Sequence, residues 1–229
     1  MSTIENNFKR IQNQIHQCCE KNGIDYNNIK LIAVTKTRNA DEINRAVQAG
    51  ALDIGENKVQ EIMDKHQDVL PVQWHMIGHL QTNKVKYIID KVHMIHSLDS
   101  LKLAEEINKR AKQHNKVMDV LVQVNAAEEE SKYGLTIKDS RSFIETLRRY
   151  ENIHVKGLMT IAPFVENSED VRKYFRQMKQ LFDDCKDLES GNVTMQYLSM
   201  GMTNDFEVAI EEGANMIRIG TAVFGPRNY

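Results

Sequence analysis

The first candidate for chemistry is Lys36, which directly follows an apolar run at residues 31–35 (LIAVT). Such a run predicts a buried strand, so the side-chain amine would lie at a strand end with water partly excluded. Partial desolvation disfavours the charged form of a lysine and frees its amine for Schiff-base chemistry. The alternative is an ordinary exposed lysine that ends a strand, because lysine is common at protein surfaces.

Two segments in the last part of the sequence combine glycine with hydroxyl residues, a composition suited to anion binding. They are residues 199–203 (SMGMT) and 217–225 (IRIGTAVFG). Glycine lets the backbone approach a ligand and present N–H groups to an anion, and a helix N-terminus adds its positive end. The alternative is that both segments are plain turns with helix caps.

Arg218 lies inside the last predicted strand, in an otherwise apolar run (MIRI, 216–219). A buried guanidinium is costly without a partner, so this residue predicts a fixed anion or another acceptor nearby. The alternative partner is a carboxylate of the core.

The remaining polar residues give weaker signals. His75 and His79 are four residues apart, but their segment is predicted as a strand followed by a loop. A shared metal-binding face is therefore not expected, and we predict no metal site.

The three cysteines, Cys18, Cys19 and Cys185, are odd in number, and two are adjacent. They predict reduced thiols and not a disulfide framework.

The elements that must position these residues alternate along the chain. Short β-branched or apolar runs are separated by longer stretches with helical periodicity. The strand candidates are 31–35, 52–54, 73–77, 94–97, 117–124, 155–159, 195–199 and 216–219. The helix candidates are 4–20, 41–49, 101–114, 140–150, 171–186 and 205–211.

This alternation predicts an α/β fold, because parallel strands need crossover connections and helices supply them. Eight strand–helix units in 229 residues fit a single (β/α)8 barrel of the TIM type with an extra N-terminal helix, one domain over 1–229. A doubly wound open sheet is the alternative. In a barrel the C-terminal strand ends share one face, and phosphate often binds after strands seven and eight. Those are the strands that precede the two glycine-hydroxyl segments.

The composition excludes some classes of partner. The chain has 30 Lys and Arg against 32 Asp and Glu, a net charge of −2. Nothing in that balance favours nucleic acid or an anionic membrane. The first residues lack the apolar core of a signal peptide, and no apolar run approaches the roughly 20 residues of a membrane span. We therefore expect a cytoplasmic protein.

Six motifs together resemble the pyridoxal phosphate homeostasis protein family. They are AVTKT (33–37), GENKVQE (55–61), WHMIGHLQTNK (74–84), SKYGL (131–135), GLMTIAP (157–163) and LSMGMTNDFEVAIEEGANMIRIGTAVFG (198–225). The resemblance runs nearly from end to end and implies the barrel of the alanine racemase N-terminal domain. It also implies that the protein binds pyridoxal 5′-phosphate (PLP) and maintains its supply, without an established enzymatic activity. Lys58 departs from the tyrosine of many relatives, which puts at most one contact beside the ring in doubt.

The resemblance implies roles for ten residues. Lys36 would hold PLP as a Schiff base, and Arg218 would face the pyridine nitrogen. The residues that would surround the phosphate are Ser199, Gly201, Met202, Gly220 and Thr221. Those that would line the site near the ring are Asn57, His79 and Met159.

An arginine beside the pyridine nitrogen argues for a holder of PLP and against a catalyst. A second positive charge disfavours protonation of that nitrogen and weakens the ring as an electron sink. Racemases with this arginine use a tyrosine base from a second domain and a partner subunit, and we expect no such domain here. PLP is the expected ligand, and apo PLP-dependent enzymes are candidate recipients of it. We expect little or no catalytic turnover, and we expect the protein to be a monomer or a weak dimer. The alternatives are a racemase-like enzyme of low activity, a Schiff-base aldolase and a pure interaction module.

Overall fold

The strands form one closed barrel in the computed structural model, which describes residues 3–129 and 132–226. All pairings are parallel, the strands follow chain order, and β1 pairs with β8. They are β1 Lys30–Val34, β2 Asp53–Glu56, β3 Gln73–Met76, β4 Met94–Leu98, β5 Met118–Gln123, β6 Ile153–Met159, β7 Val193–Ser199 and β8 Met216–Ile219. The predicted eight-stranded barrel is confirmed. The open sheet is wrong, because its first and last strands would be unpaired edges.

Helices surround this barrel. Within the described ranges they are α1 Ile4–Lys21, α2 Ala40–Gln48, α3 Val59–Lys65, α4 Val85–Ile88, α5 Leu101–Gln113, α6 Ile137–Leu147, α7 Arg172–Asp184, α8 Phe206–Glu211 and α9 Thr221–Phe224. The helices that the sequence did not predict are α3, α4 and α9, which have seven, four and four residues. Segments of that length are too short to display helical periodicity. None of the helices in the described part of the chain has the length and apolar character that a membrane crossing requires.

The boundary of β2 differs from the prediction. Gly55 and Glu56 were expected in the loop after the strand, but both belong to β2. Gly55 is in register with Val34 of β1 and with His75 of β3. Strand pairing on both sides therefore extends β2 beyond its apolar residues, so that Glu56 is fully buried.

The extra N-terminal helix completes the outer layer. Its buried residues include Phe8, Ile11 and Ile15, spaced three and four residues apart on one face. This face packs α1 against α2, α8 and α9. Asn7 also donates from Nδ2 to the Val223 carbonyl at 3.0 Å. α1 therefore bridges the helices of the first and last units and covers the closure of the barrel.

The apolar core has two layers. The larger lies between the strands and the helices, and a smaller cluster fills the barrel interior. The fully packed residues of the inner cluster are Ile32, Met94, Leu121, Met159 and Met216. Arg218 is in register with Ile32, so the interior also holds a charged side chain.

A chain of polar side chains crosses part of the same interior. Lys30 donates to both carboxylate oxygens of Asp53 at 2.9 Å. The other end of the chain consists of His75 and His96, which are fully buried. His75 Nε2 lies 2.8 Å from Asp53 Oδ1, and its Nδ1 lies 2.9 Å from His96 Nε2.

The carboxylate fixes the proton positions along this chain. Asp53 can only accept, so His75 donates from Nε2 and a neutral His75 accepts at Nδ1 from the Nε2–H of His96. His96 Nδ1 is then a buried acceptor, with no hydrogen-bond partner among the described residues. Burial lowers the pKa of both imidazoles, that of His96 well below its ordinary value. Both rings are therefore neutral at pH 7.

We predict that acidification destabilises the protein through these two histidines. The unfolded chain takes up protons at histidine near pH 6.5, whereas the folded chain resists them at His75 and His96. Stability contributed by such a group is present above pH 6.5 and is lost as the pH falls below it. Each group contributes at most about 1.4 kcal/mol per pH unit. Urea unfolding between about pH 7 and pH 5 measures the loss.

The His96→Gln variant should lose less stability over that pH range than the wild type. His16→Gln removes an exposed histidine of α1 and serves as the control. Identical pH slopes for the wild type and His96→Gln would show that His96 is not a buried neutral imidazole.

Candidate cofactor site

A cavity of about 730 Å³ opens at the C-terminal ends of the strands. Its wall includes residues from the segments that follow β1, β2, β3, β5, β7 and β8. Cavities of this size are typical of small-molecule and cofactor sites. Seven of the ten predicted site residues line it: Lys36, Asn57, His79, Met202, Arg218, Gly220 and Thr221.

Lys36 lies in the turn after β1 and is half-buried. The preceding residue, Thr35, is fully buried and donates its backbone N–H to the Gly55 carbonyl at 2.9 Å. The strand end is therefore fixed, and the lysine is the point at which the chain leaves the barrel and meets the cavity. This is the position that the sequence predicted for a reactive amine.

Arg218 enters the cavity from β8 and is 4% exposed. It donates to the Ser199 hydroxyl at 2.6 Å and to the Thr160 carbonyl at 2.7 Å. Burial lowers the pKa of the guanidinium to about 10, which still leaves it charged at neutral pH. The alternative of an ion pair with a core carboxylate is not realised among the described residues, since the hydrogen-bond partners of Arg218 are neutral.

The loop after β7 is tightly packed at Gly201. This residue has a φ of +91°, in the region that favours glycine. A Cβ atom there would lie 2.6 Å from the Ala209 Cβ and 3.1 Å from the Phe206 Cα. Arg218 also donates its backbone N–H to the Gly201 carbonyl at 3.0 Å. Gly201 therefore connects the loop after β7 to β8 through this hydrogen bond, and it packs against α8 behind the cavity wall.

Asp205 is a cavity residue that the sequence did not single out. It is buried, and its Oδ1 accepts the backbone N–H of Met202 at 2.5 Å. Burial raises the pKa of its carboxyl, while the Met202 hydrogen bond and the positive charge of Arg218 act in the opposite direction. The backbone amide of Met202, a residue predicted to help surround the phosphate, is thus already engaged by a carboxylate.

Asn57 and His79, from the segments after β2 and β3, also line the cavity. The His79 ring stacks on Tyr133, with the ring centroids 3.6 Å apart and the planes at 10°. Asp99 approaches His79 Nδ1 to 3.9 Å. Burial raises the pKa of the Asp99 carboxyl, and the nearby His79 opposes that rise.

The other three predicted residues lie behind the wall. Ser199 is buried and accepts a hydrogen bond from Arg218, which lines the cavity, and Gly201 packs against α8 as described. Met159 is fully buried in the inner apolar cluster. Its predicted place beside a ring stays a prediction.

Sequence reasoning missed further lining residues: Gln123, Lys132, Tyr133, Phe164 and Asp205. Most of them lie within or beside motifs that carried the resemblance, so the motifs were the available signal. Residues 130 and 131, the second of which begins the SKYGL motif, lie outside the described residues. Within the described ranges no group of three or more His, Cys, Asp and Glu residues could hold a metal ion.

The cavity residues fit the chemistry of PLP. Lys36 provides an amine, and Arg218 provides a fixed positive charge. Gln123 Oε1 is a buried acceptor that has no hydrogen-bond partner in the described part of the chain, although the residue lines the cavity. A buried acceptor of this kind is expected to meet a donor from a ligand or a water molecule.

Comparison with known proteins places the chain in a family. The family model described as "Alanine racemase, N-terminal domain" matches residues 1–228. A pyridoxal phosphate homeostasis protein of Aquifex aeolicus is 46% identical over 224 residues, 97% of each chain. One from Haemophilus influenzae is 35% identical over 230 residues, 99% of this chain and 97% of the relative. This chain belongs to the pyridoxal phosphate homeostasis protein family.

Solved structures agree with this assignment. PipY of Synechococcus elongatus PCC7942, solved with PLP bound, is 31% identical, with a TM-score of 0.78. The alignment covers 86% of this chain and 93% of PipY. The barrel and its relation to the alanine racemase N-terminal domain, both expected from the motifs, are therefore confirmed.

We predict that Gly201→Ala destabilises the protein by more than about 2 kcal/mol. The left-handed conformation costs an alanine about 1–2 kcal/mol, and an extra carbon in a packed site costs about 1–3 kcal/mol. Urea unfolding of the protein without added cofactor measures the difference.

Gly191→Ala is the matched control. Gly191 also has a positive φ, of +58°, but no heavy atom lies within 4 Å of a Cβ placed there. The free energy of unfolding of Gly191→Ala should fall only by the cost of the left-handed backbone, about 1–2 kcal/mol. Equal losses for the two variants would mean that the loop after β7 is not packed as described.

Proposed function

We propose that this protein binds PLP covalently through Lys36 and holds it for release, with little or no catalytic turnover. One observation carries the proposal: Lys36, Arg218 and the backbone at Gly220 and Thr221 line the same cavity. An amine, a fixed positive charge and a glycine-containing loop are the groups that an aldehyde with a phosphate ester requires. Relatives that carry the homeostasis name, and PipY with PLP bound, support the same ligand.

The chemistry of attachment needs only the amine of Lys36. PLP supplies the aldehyde: the lysine nitrogen forms a C=N bond to the aldehyde carbon, and the oxygen leaves as water with the two amine hydrogens. No oxidant or reductant takes part, and the reverse reaction with water or another amine releases the cofactor. Attachment is therefore reversible, as a holder requires.

The phosphate would lie at the loops after β7 and β8. Gly220 and Thr221 line the cavity directly. Ser199 and Gly201 would act from behind, since Ser199 accepts a hydrogen bond from Arg218 and Gly201 shapes the loop. The Met202 N–H donates to Asp205. It would reach the phosphate only if it were shared between the two acceptors or if its hydrogen bond to Asp205 were broken.

Arg218 supports a holder and not a catalyst. Its guanidinium is buried, stays charged at neutral pH and has no carboxylate within ion-pair distance among the described residues. A pyridine nitrogen that faces it would stay unprotonated, which weakens the ring as an electron sink. Asn57 and His79, which also line the cavity, would contact the ring.

The cavity is also open enough for exchange. Tyr133 and Phe164 line it and are exposed, Phe164 at 86%. An incoming amine from a free amino acid or from an apo-enzyme lysine can therefore approach the cofactor from solvent. This supports apo PLP-dependent enzymes as recipients.

We predict that the purified protein shows the yellow absorbance of a Schiff base and that borohydride fixes the cofactor to Lys36. Lys36→Ala should lose both properties, because it lacks the amine. Absorbance spectra and peptide mass spectrometry measure the two properties.

Lys102→Ala, which removes an exposed lysine from α5, is the control and should behave like the wild type. Retention of the yellow colour and of borohydride fixation by Lys36→Ala would refute the proposal.

We further predict that the loaded protein restores activity to an apo PLP-dependent enzyme. The reversible bond and the open cavity allow the cofactor to leave, and recovered enzyme activity measures the transfer. Protein reduced with borohydride should restore nothing, because its C–N bond no longer exchanges. Failure of the unreduced protein to restore activity would contradict the role as a source of PLP.

A further inference from the structure

The GENKVQE motif contains two carboxylates, Glu56 and Glu61, that the proposed function does not use. Glu56 ends β2, and Glu61 lies on α3 with Lys65 one turn later. We call these three residues the acidic brace. They contact both residues that flank Lys36, namely Thr35 and Thr37.

The contact on the Thr37 side holds an unfavourable backbone conformation. Thr37 has a φ of +65°, which is rare for a β-branched residue. Its backbone N–H donates to Glu61 Oε2 at 2.6 Å. A hydrogen bond to a carboxylate is among the stronger ones in proteins, so it can hold a turn that the sequence alone disfavours.

The contacts on the Thr35 side fix the end of β1. The Thr35 hydroxyl donates to Glu56 Oε1 at 2.7 Å, and the Lys65 ammonium donates to the Thr35 carbonyl at 3.3 Å. Both backbone neighbours of Lys36 are therefore attached to side chains of β2 and α3. The side chain of Lys36, which lies between these two residues, lines the cavity.

The brace is internally connected. The Lys65 ammonium lies 2.9 Å from Glu56 Oε1 and 2.7 Å from Glu61 Oε2, so it joins the two carboxylates. Glu56 is fully buried, and both Lys65 and Glu61 are mostly buried. Burial raises the pKa of Glu56, while Lys65 opposes the rise. Burial acts the same way on Glu61, but the hydrogen bonds from Lys65 and from the Thr37 N–H, together with the charges of Lys65 and Lys58, outweigh it, so the pKa of Glu61 is lowered.

A purely stabilising role does not account for this arrangement. Exposed ion pairs contribute little to stability, and buried ones are often replaceable by apolar residues. Here the buried charges bind the two residues on either side of one lysine, in a turn with strained geometry. Such strain persists where the surrounding structure holds it, and it is frequent at functional sites.

We propose that Glu56, Glu61 and Lys65 position the turn that carries Lys36, so that its amine meets the aldehyde of PLP in a productive geometry. The proposal rests on the function proposed above. The brace does not touch the cofactor, and its members are positioning residues. Small displacements of a reacting group reduce reaction rates by up to about a hundredfold.

The decisive variant is Glu61→Ala, which removes the acceptor of the Thr37 N–H. Covalent attachment of PLP, followed by stopped-flow absorbance, should slow by about tenfold to a hundredfold. Affinity for pyridoxamine 5′-phosphate, which has no aldehyde, should stay within about twofold, because the phosphate loops and Arg218 are untouched. Hydrogen exchange of the Thr37 amide, measured by NMR without cofactor, should become at least about tenfold faster.

Three further variants separate positioning from folding. Asp64→Ala removes an exposed carboxylate from the same helix and should leave all three measurements unchanged. Glu61→Gln keeps an oxygen acceptor for Thr37 but loses the charge pair with Lys65, so its attachment rate should fall between those of the wild type and Glu61→Ala. Adding Thr37→Gly to Glu61→Ala should recover part of the rate, because glycine adopts a φ of +65° without strain.

The possible outcomes decide the proposal. Unchanged attachment in Glu61→Ala, or an equal loss of pyridoxamine 5′-phosphate binding, would overturn it, the second because the whole site would then have collapsed. Failure of Thr37→Gly to recover any rate would overturn the role of the strained turn. A wild type that forms no bond to PLP would instead refute the proposed function, so the two failures are distinguishable.

Discussion

The pairing of β1 with β8 is the constraint on which the candidate site depends. These strands come from the two ends of the chain, and their hydrogen bonds place Ile32 in register with Arg218. The turn that carries Lys36 is thereby brought beside the loop after β8, where a Cβ at Gly220 would lie 3.3 Å from the Val34 Cβ. Without closure, the amine and the guanidinium would lie at opposite edges of an open sheet. α1 covers this closure from outside, so the N-terminal helix supports the site without contributing to it.

The second constraint is the satisfaction of polar groups inside the barrel. Arg218 is buried among apolar strands, and the acceptors that satisfy it come from two neighbouring segments, Ser199 of β7 and Thr160 after β6. The acidic brace and the chain from Asp53 to His96 follow this rule in part, since Glu56 pairs with Lys65 and His75 pairs with Asp53. Glu56 Oε2 and His96 Nδ1 have no hydrogen-bond partner among the described residues. Because these partners lie on different elements, the site is rigid only when the whole barrel is formed.

Much of the fold followed from local patterns. Strand and helix candidates matched the observed elements to within a few residues, because buried parallel strands are short apolar runs and the long helices have an apolar face. Lys36 and Arg218 stood out because a charged residue at the end of such a run, or inside it, requires an explanation. The short helices escaped detection, and so did the extension of β2 to Glu56, since a glycine and a glutamate do not resemble a strand until neighbours pair with them.

The sequence by itself determined the eight strand–helix units, the polar strand ends and the motifs that carry the family resemblance. These are properties of residue type and spacing, which are local and periodic. Only the tertiary structure decided that Met202 gives its amide to Asp205, that Met159 packs in the inner cluster and that Thr37 depends on Glu61. Those outcomes follow from contacts between segments that are distant in sequence or from single rotamers. A one-dimensional pattern does not contain the side-chain directions that decide them.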